Sequence, residues 1–489
     1  MIDLSIYQEQ LERTVQRARE RGVVIPTFAQ MCDPTLIPAA VTNRLGQVGL
    51  WDVDPLNLFR ITWKNEATAR GGRFGAVNAL ELPTALTGVP ARIIALVGKW
   101  FPTGAHKVGA TFGCLAPRLV TGQFDPTRHK AVWPSTGNFC RGGAYNATLL
   151  GCESIAILPE GMSRERFEWL SRFAGEVIAT PGSESNVKEI FDRCWELRAT
   201  RQDVVIFNQF EEFGNYLWHY AVTGRAMEEV LQRELRPRDR YRGVVLTTGS
   251  AGTIACGDYL KEIFPASKVV ASEALQCPTL LHNGFGAHRI EGIGDKHVPW
   301  IHNVKNTDMA VAIDDEACMA LARLFNEPAG RAYLVRQGAP EALAGQLDLL
   351  GISSIANVLS CVKFARWYEL GEQDVVLTVF TDSMELYGSR LDDLRVERGA
   401  YSELDAAADY HRYLLGCTTD HVQELGYWDR RRIHNLKYYT WVEQQGKTYE
   451  EIQAQWYDPD YWRQAQHQVA EIDTLIMEFN ARTGLLNNR

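Results

Sequence analysis

The chain of 489 residues carries 51 basic against 60 acidic side chains, a net charge of −9, and 46% of its residues are apolar. That composition is ordinary for a globular protein. The acidic balance argues against a surface built to neutralise nucleic-acid phosphates, and no uncharged apolar run reaches the roughly 18 residues that a membrane span needs. At about 150 residues per domain the length suggests about three domains. The stretch from Met1 to Glu9 lacks the basic-then-apolar layout of a secretory leader, so the expected location is the cytoplasm. Ten cysteines are dispersed with no C-x-x-C pair, the usage of small buried thiols in a reducing compartment; neither a disulfide framework nor a cysteine zinc site is expected.

In chain order, residues 1–90 open with a polar helix-like stretch from Tyr7 to Arg19 and continue through Pro- and Gly-punctuated segments. From residue 91 the rhythm changes. Short apolar runs at 91–97, 154–158, 204–207, 243–246, 268–271 and 374–380 predict buried strands. Between them, 163–173, 186–198 and 216–233 have helical patterning. Strands alternating with helices over some three hundred residues predict an α/β fold with one or two open parallel sheets. Residues 401–489 hold nine of the eighteen tyrosines and four of the thirteen tryptophans, which argues against a disordered tail. The segment reads as a helical extension, with helices expected near 405–415 and 461–479. Its triple arginine, Arg430 to Arg432, is expected to form a solvated or ion-paired face.

Three segments carry chemistry. In Phe101-Pro-Thr-Gly-Ala-His106-Lys107-Val-Gly-Ala, a lysine among small residues enters a helix just after a strand, where α/β folds place ligands. Burial there would lower its pKa and free the amine to form a Schiff base. In Trp133-Pro-Ser135-Thr136-Gly137-Asn138-Phe-Cys140, hydroxyls, an amide and a helix start form an anion cradle. In Thr248-Gly249-Ser250-Ala251-Gly252-Thr253, a glycine-rich turn between strand and helix lets backbone amides approach a phosphate. It has neither the P-loop spacing nor G-x-G-x-x-G. Cys140 reads as a packed thiol. The histidines at 282, 288, 297 and 302 lack ligand spacing, and no metal site is expected.

Together these motifs resemble the fold-type-II pyridoxal-phosphate enzymes, the group of cysteine synthase, cystathionine β-synthase, threonine synthase and the tryptophan synthase β chain. Asn208-Gln209-Phe210 followed by His219 and Thr223-Gly224 is similar to the cysteine synthase pattern. So are Gly286-Ala-His-Arg-Ile-Glu-Gly-Ile-Gly294 and Gly351-Ile-Ser353-Ser354. The similarity spans about 99–392. It implies two open-sheet α/β lobes of the tryptophan synthase β kind, with residues 1–90 packing on the large lobe, 91–225 forming the small lobe, 226–400 the large lobe, and 401–489 an aromatic-rich helical extension.

Carried over by position, the resemblance makes Lys107 the Schiff-base lysine of pyridoxal 5′-phosphate, with Asn138 at the 3′ oxygen. Ser135, Thr136, Gly137 and Gln209 would hold the substrate carboxylate; Gly249, Ser250, Ala251, Gly252 and Thr253 would wrap the phosphate. Ser353 would face the pyridine nitrogen, with Ser354 the alternative one residue on. A neutral hydroxyl there makes the ring a weaker electron sink, which suits loss of a leaving group from Cβ. The expectation is therefore β-elimination or β-replacement on an amino acid through an aminoacrylate, in a homodimer that binds neither nucleic acid nor membrane. The sequence departs from cysteine synthases in places. Gly-Ala-His-Lys resembles the tryptophan synthase β chain, implying His106 beside the phosphate, and Ser-Thr-Gly-Asn resembles threonine synthase. Threonine synthase-like or dehydratase-like chemistry therefore stays open, as does a non-catalytic binding protein with a partner-binding tail.

Overall fold

The run Arg92–Val97 is buried along its whole length, as a strand covered on both faces must be. In the computed structural model, which describes residues 1–68, 72–135, 137–182 and 187–486, it is one of eleven strands. In chain order these are β1 (Ala79–Leu82), β2 (Arg92–Val97), β3 (Lys130–Pro134), β4 (Glu153–Pro159), β5 (Glu176–Thr180), β6 (Val204–Ile206), β7 (Arg240–Thr247), β8 (Lys268–Ala274), β9 (Met309–Ile313), β10 (Asp374–Phe380) and β11 (Val422–Glu424). Seven form one sheet in the order β1-β2-β10-β7-β8-β9-β11, and four form another in the order β5-β4-β3-β6.

The five central strands of the large sheet run parallel, and the edge strands β1 and β11 run antiparallel. The small sheet is parallel throughout. Two α/β lobes result. One strand sits differently from the expected division. Residues 92–97, grouped by sequence with the small lobe, hydrogen-bond β10, with Leu377 opposite both Ile94 and Val244. A strand apolar on both faces announces that it is central without announcing which sheet it joins. The N-terminal ninety residues likewise contribute β1 to the large sheet.

Four strand C-termini point into one region. β2 leads to the segment before Lys107, β3 to Ser135–Asn138, β7 to Gly249–Thr253 and β10 to Asp382. In open α/β sheets such ends are where ligands bind. The helices that follow fix each loop: α1 (Gln8–Arg21) lies at the chain start, α2 (Lys107–Val120) begins at the lysine, α3 (Asn138–Leu149) begins at the asparagine, α4 (Ala255–Ile263) follows the glycine-rich turn, and α5 (Ile352–Trp367) begins after Gly351. α2 approaches the short helix Phe213–Trp218 closely enough that a Cβ at Gly113 would stand 2.3 Å from the Gly214 carbonyl oxygen. Only glycine permits that contact.

The extensions are welded on by polar groups as well as by apolar burial. α6 (Tyr461–Thr483) packs beside α1 and α2. Its Asn480 side chain bonds both the amide and the carbonyl of Ile25, and Asp473 accepts from the amides of Phe28 and Ala29. The Lys437 ammonium is buried and donates to the carbonyls of Trp300 (2.9 Å) and His302 (2.8 Å) and to Gln455 Oε1 (2.6 Å). Lys437→Met removes all three bonds and strands Gln455 Oε1, while the Trp300 and His302 carbonyls keep the Gln455 Nε2 and Val304 N–H donors; the expected cost is about 1–3 kcal/mol of stability, read as a lower denaturant midpoint, and an unchanged midpoint would make this contact incidental. The arginine triplet is engaged: Arg430 pairs with Asp308 at 2.9 Å, Arg431 stacks over Trp456 and Tyr457, and Arg432 donates to the Leu280 carbonyl and to Asn283.

Candidate active site

Lys107, the first residue of α2, extends its Nζ to within 3.0 Å of Ser250 Oγ in the glycine-rich turn. Burial lowers its pKa from 10.5 to about 8. The buried lysines are committed to acceptors: Lys99 to Glu385 and Asp348, Lys363 to Asp420, and Lys437 to its three oxygens. Among the described residues half-buried Lys107 has a single hydrogen-bond partner, the neutral Ser250 hydroxyl. A desolvated amine with so little to hold its proton is the form that attacks carbonyls.

Around Ser250 the turn is built for close approach. Gly249, Ser250, Ala251, Gly252 and Thr253 lie between β7 and α4. Ala251 takes a positive φ of 60°, unusual for a residue with a Cβ and a form of strain that collects at binding sites. A Cβ at Gly252 would stand 2.0 Å from Asn215 Oδ1, so this position must be glycine. Asn215 is buried; its Nδ2 donates to Ser250 Oγ (3.1 Å) and to the Gln209 carbonyl (3.0 Å). Gln209 Nε2 in turn donates to Ser135 Oγ at 3.2 Å, and that oxygen accepts from the Gly137 amide at 3.1 Å. One chain of hydrogen bonds thus runs from Lys107 through the turn to the Ser135–Gly137 loop. Thr136, expected in that loop, lies outside the described residues.

Asn138 opens α3 with its side chain buried. Its Nδ2 donates to Asp382 Oδ2 at 2.5 Å, and its Oδ1 has no partner among the described residues. Asp382 also accepts from the Tyr387 hydroxyl at 2.7 Å, and burial raises its pKa. The Gly351 amide donates to the Asp382 carbonyl at 3.1 Å, which brings the start of α5, and with it buried Ser353, against the same corner. A Cβ at Gly351 would fall on Asp382 Oδ1. Ser354 is also buried, its hydroxyl unpartnered.

His106 lies behind the lysine with both ring nitrogens buried and, among the described residues, without partners; its ring centroid is 4.9 Å from that of His219 and 5.5 Å from that of Trp63. Burial pushes its pKa down to about 3, so the ring is neutral. Trp63 Nε1 donates to Thr223 Oγ1, which lies 2.9 Å from His219 Nδ1. The N-terminal segment therefore closes the back of the site. Cys140 is packed: it is fully buried, its Sγ is 2.9 Å from the Gly137 carbonyl, and burial raises its pKa to about 12.

The structure thus brings together Lys107, His106, Ser135, Gly137, Asn138, Gln209, the 249–253 turn and the Ser353 end of α5. Sequence reasoning missed Asn215, Asp382 and Tyr387. Asp382 carried a usable signal, since it follows the C-terminal end of a strongly apolar strand. Asn215 carried none, being one polar residue inside a helical stretch.

The family profile described as "Pyridoxal-phosphate dependent enzyme" matches residues 100–382. Cystathionine beta-synthase of Saccharomyces cerevisiae is 26% identical over 349 residues, covering 69% of this chain and 65% of that protein, just under two thirds of its length. A probable cysteine synthase of Bacillus subtilis is 27% identical over 287 residues, 58% of this chain and 85% of that one. Among solved structures, the O-acetylserine-dependent cystathionine beta-synthase of Helicobacter pylori superposes with a TM-score of 0.54 at 25% identity, covering 64% of this chain and 94% of the other.

Proposed function

We propose, from the premise that the chain belongs to the family of pyridoxal-phosphate-dependent enzymes, that it catalyses β-elimination or β-replacement on an amino acid with a leaving group at Cβ. Pyridoxal phosphate is the cofactor. The residues present fit it. The turn at 249–253 excludes a Cβ at position 252, Lys107 offers a loosely held amine, and among the described residues the Asn138 oxygen and the His106 nitrogens lie buried without partners. The observation that carries the reading is the Asn215 bridge, which joins the lysine's partner Ser250 to the Gln209–Ser135 loop in one hydrogen-bonded unit.

When bound, pyridoxal phosphate supplies an aldehyde for amines and a conjugated ring that takes up electrons released at Cα. Lys107 would hold the cofactor through Nζ, and its amine is the group placed to move the proton at the substrate's Cα. The 249–253 amides and the start of α4 hold the phosphate, with neutral His106 beside it. Ser135 and Gln209, with Thr136 and the Gly137 amide, hold the substrate carboxylate. Asn138 orients the ring's oxygen substituent, and Asp382 fixes Asn138. Buried Ser353, at the start of α5, would offer the ring nitrogen a neutral hydroxyl, which could not keep that nitrogen protonated and would favour departure of a Cβ substituent over prolonged charge storage. The likeness to a cystathionine beta-synthase and a cysteine synthase supports this reading.

The proposal includes a cytoplasmic homodimer. Twofold assemblies are the commonest, and the ten free cysteines, nine of them buried, suit a reducing compartment. Among the described residues no helix is long and apolar enough to cross a membrane. Residues 1–90 and 401–489 are proposed as extensions that frame the two lobes.

Product analysis with L-serine, O-acetyl-L-serine and O-phospho-L-homoserine tests the reaction type. Products of Cβ–O cleavage from either of the first two are expected; conversion of O-phosphohomoserine alone would overturn the reading in favour of γ-chemistry. The amine gives a pH prediction. Protonated Lys107 cannot attack the aldehyde, so capture of pyridoxal phosphate by apoprotein should accelerate as pH rises, reach half its maximum near pH 8, its pKa being about 8, and level off above that. A rate still climbing toward about pH 10, where an ordinary lysine titrates, would contradict the buried setting.

A further inference from the structure

Beside the site lies a cavity of about 250 Å³ whose lining includes Trp51, Thr103, Gly104, Arg141, Trp169 and Ser383. Three of its walls are continuations of active-site segments. Thr103 and Gly104 lead into Lys107, Ser383 follows Asp382, and Arg141 sits one turn along α3 from Asn138, on the same helix face. Glu385 and partly exposed Trp51 also line it and mark its outer edge. The cavity therefore adjoins the corner of the cleft formed by Asn138 and Asp382.

Its polar furniture is unspent. Arg141 is 5% exposed. Its guanidinium lies over the Trp169 ring at 4.7 Å and makes one hydrogen bond among the described residues, from Nη2 to the Thr103 carbonyl at 2.9 Å. Among the described residues its Nε is buried without a partner, and so is Thr103 Oγ1. Thr103 takes a φ of 72°, a left-handed conformation that a branched side chain adopts only under constraint. A buried arginine ordinarily has its donors satisfied, because each one left unmade costs free energy. The carboxylate of Glu385 does not compete for it, being held 2.6 Å from Lys99 Nζ. Asp382 is occupied by Asn138 and Tyr387.

We propose that this cavity is a subsite for a second anion, the carboxylate or phosphate at the end of the substrate's side chain, with Arg141 as its counter-charge. The inference rests on the reading that the cleft takes an amino acid, and it makes acidic or phosphorylated amino acids the preferred substrates over neutral ones, which the cleft still accepts. The volume suits a substituent of a few heavy atoms rather than a nucleotide. The flat guanidinium, pinned by Trp169 and by one Nη2 bond, keeps Nη1 free to donate, and a planar fork matches carboxylate and phosphate oxygens.

The test is calorimetric titration of the holoenzyme with L-2-amino-3-phosphonopropionate, L-aspartate and neutral L-serine. The phosphonate carries its anion on a bond that β-elimination does not break, so binding is read whether or not turnover occurs. Wild type is expected to bind at least one anionic probe tenfold or more tightly than L-serine, and which of the two is preferred separates phosphate from carboxylate. Arg141→Gln should erase that preference, and Arg141→Lys should restore part of it. Equal wild-type affinities for all three would overturn the subsite even if the variants fail to fold. A preference that survives in Arg141→Gln, or an equal loss for all three amino acids, would overturn it as well. Arg141-dependent binding with no Cβ cleavage of any substrate would leave the subsite standing and remove the β-chemistry; Cβ cleavage with no preference would do the reverse.

Discussion

Lys107→Ala is expected to lower turnover by about a hundred- to ten-thousand-fold, the range for removing a positioned general base, and to abolish covalent attachment of the cofactor. The second readout is the sharper one. Borohydride treatment of wild-type holoenzyme should fix pyridoxal phosphate on the peptide containing Lys107, and the variant should show no fixed cofactor on any peptide. The rival is Lys437, the other buried amine whose pKa burial drives down. Its three acceptors hold it in place inside the C-terminal extension, away from the glycine-rich turn, whereas Lys107 lies against that turn and, among the described residues, bonds one hydroxyl there. Label found on Lys437, or retained in Lys107→Ala, would contradict the assignment.

Gly252→Ala should be nearly as damaging by a different route. The added Cβ meets Asn215 Oδ1 at 2.0 Å and its Nδ2 at 2.7 Å. Asn215 is wholly buried and fixed by Ser250 and the Gln209 carbonyl. It can yield only by releasing them, which uncouples the phosphate turn from the carboxylate loop. Overpacking of this kind costs about 1–3 kcal/mol, so a lower melting temperature and faster loss of cofactor on dialysis are expected together. Gly249→Ala is the contrast for stability, since its Cβ would meet Ile293 Cα at 3.4 Å, an ordinary contact. Equal melting temperatures for the two variants would count against the clash.

The loops that carry chemistry were legible because each combines a strand end with residues whose special backbone needs show in sequence. Gly249-Ser-Ala-Gly252 and Ser135-Thr-Gly-Asn138 advertise close approach and helix starts, and a lysine amid small residues advertises burial. What joins them was not legible. Asn215 and Asp382 act through hydrogen bonds to residues distant in sequence, and neither changes the local periodicity. β2 reads as a buried strand from its composition, but its partner β10 comes from the far end of the catalytic region, a choice set by three-dimensional packing. Strands β1, β5 and β11 bury only part of their surface, so their apolar signal is diluted. The C-terminal extension was recognisable as ordered from its aromatics. Buried Trp441, whose Nε1 donates to the Val298 carbonyl at 2.8 Å, shows why: the rings grip the core. Arg141 looked like any helical arginine, because nothing in the sequence reveals that its neighbours leave its donors unused.

The measurement that tests the central claim most directly is acetate release from O-acetyl-L-serine by holoenzyme, quantified against Lys107 sites without any added nucleophile. At least one acetate per site in wild type, and none above background in Lys107→Ala, is the predicted result. A wild-type protein that releases no acetate from O-acetyl-L-serine while liberating phosphate from O-phospho-L-homoserine would contradict it.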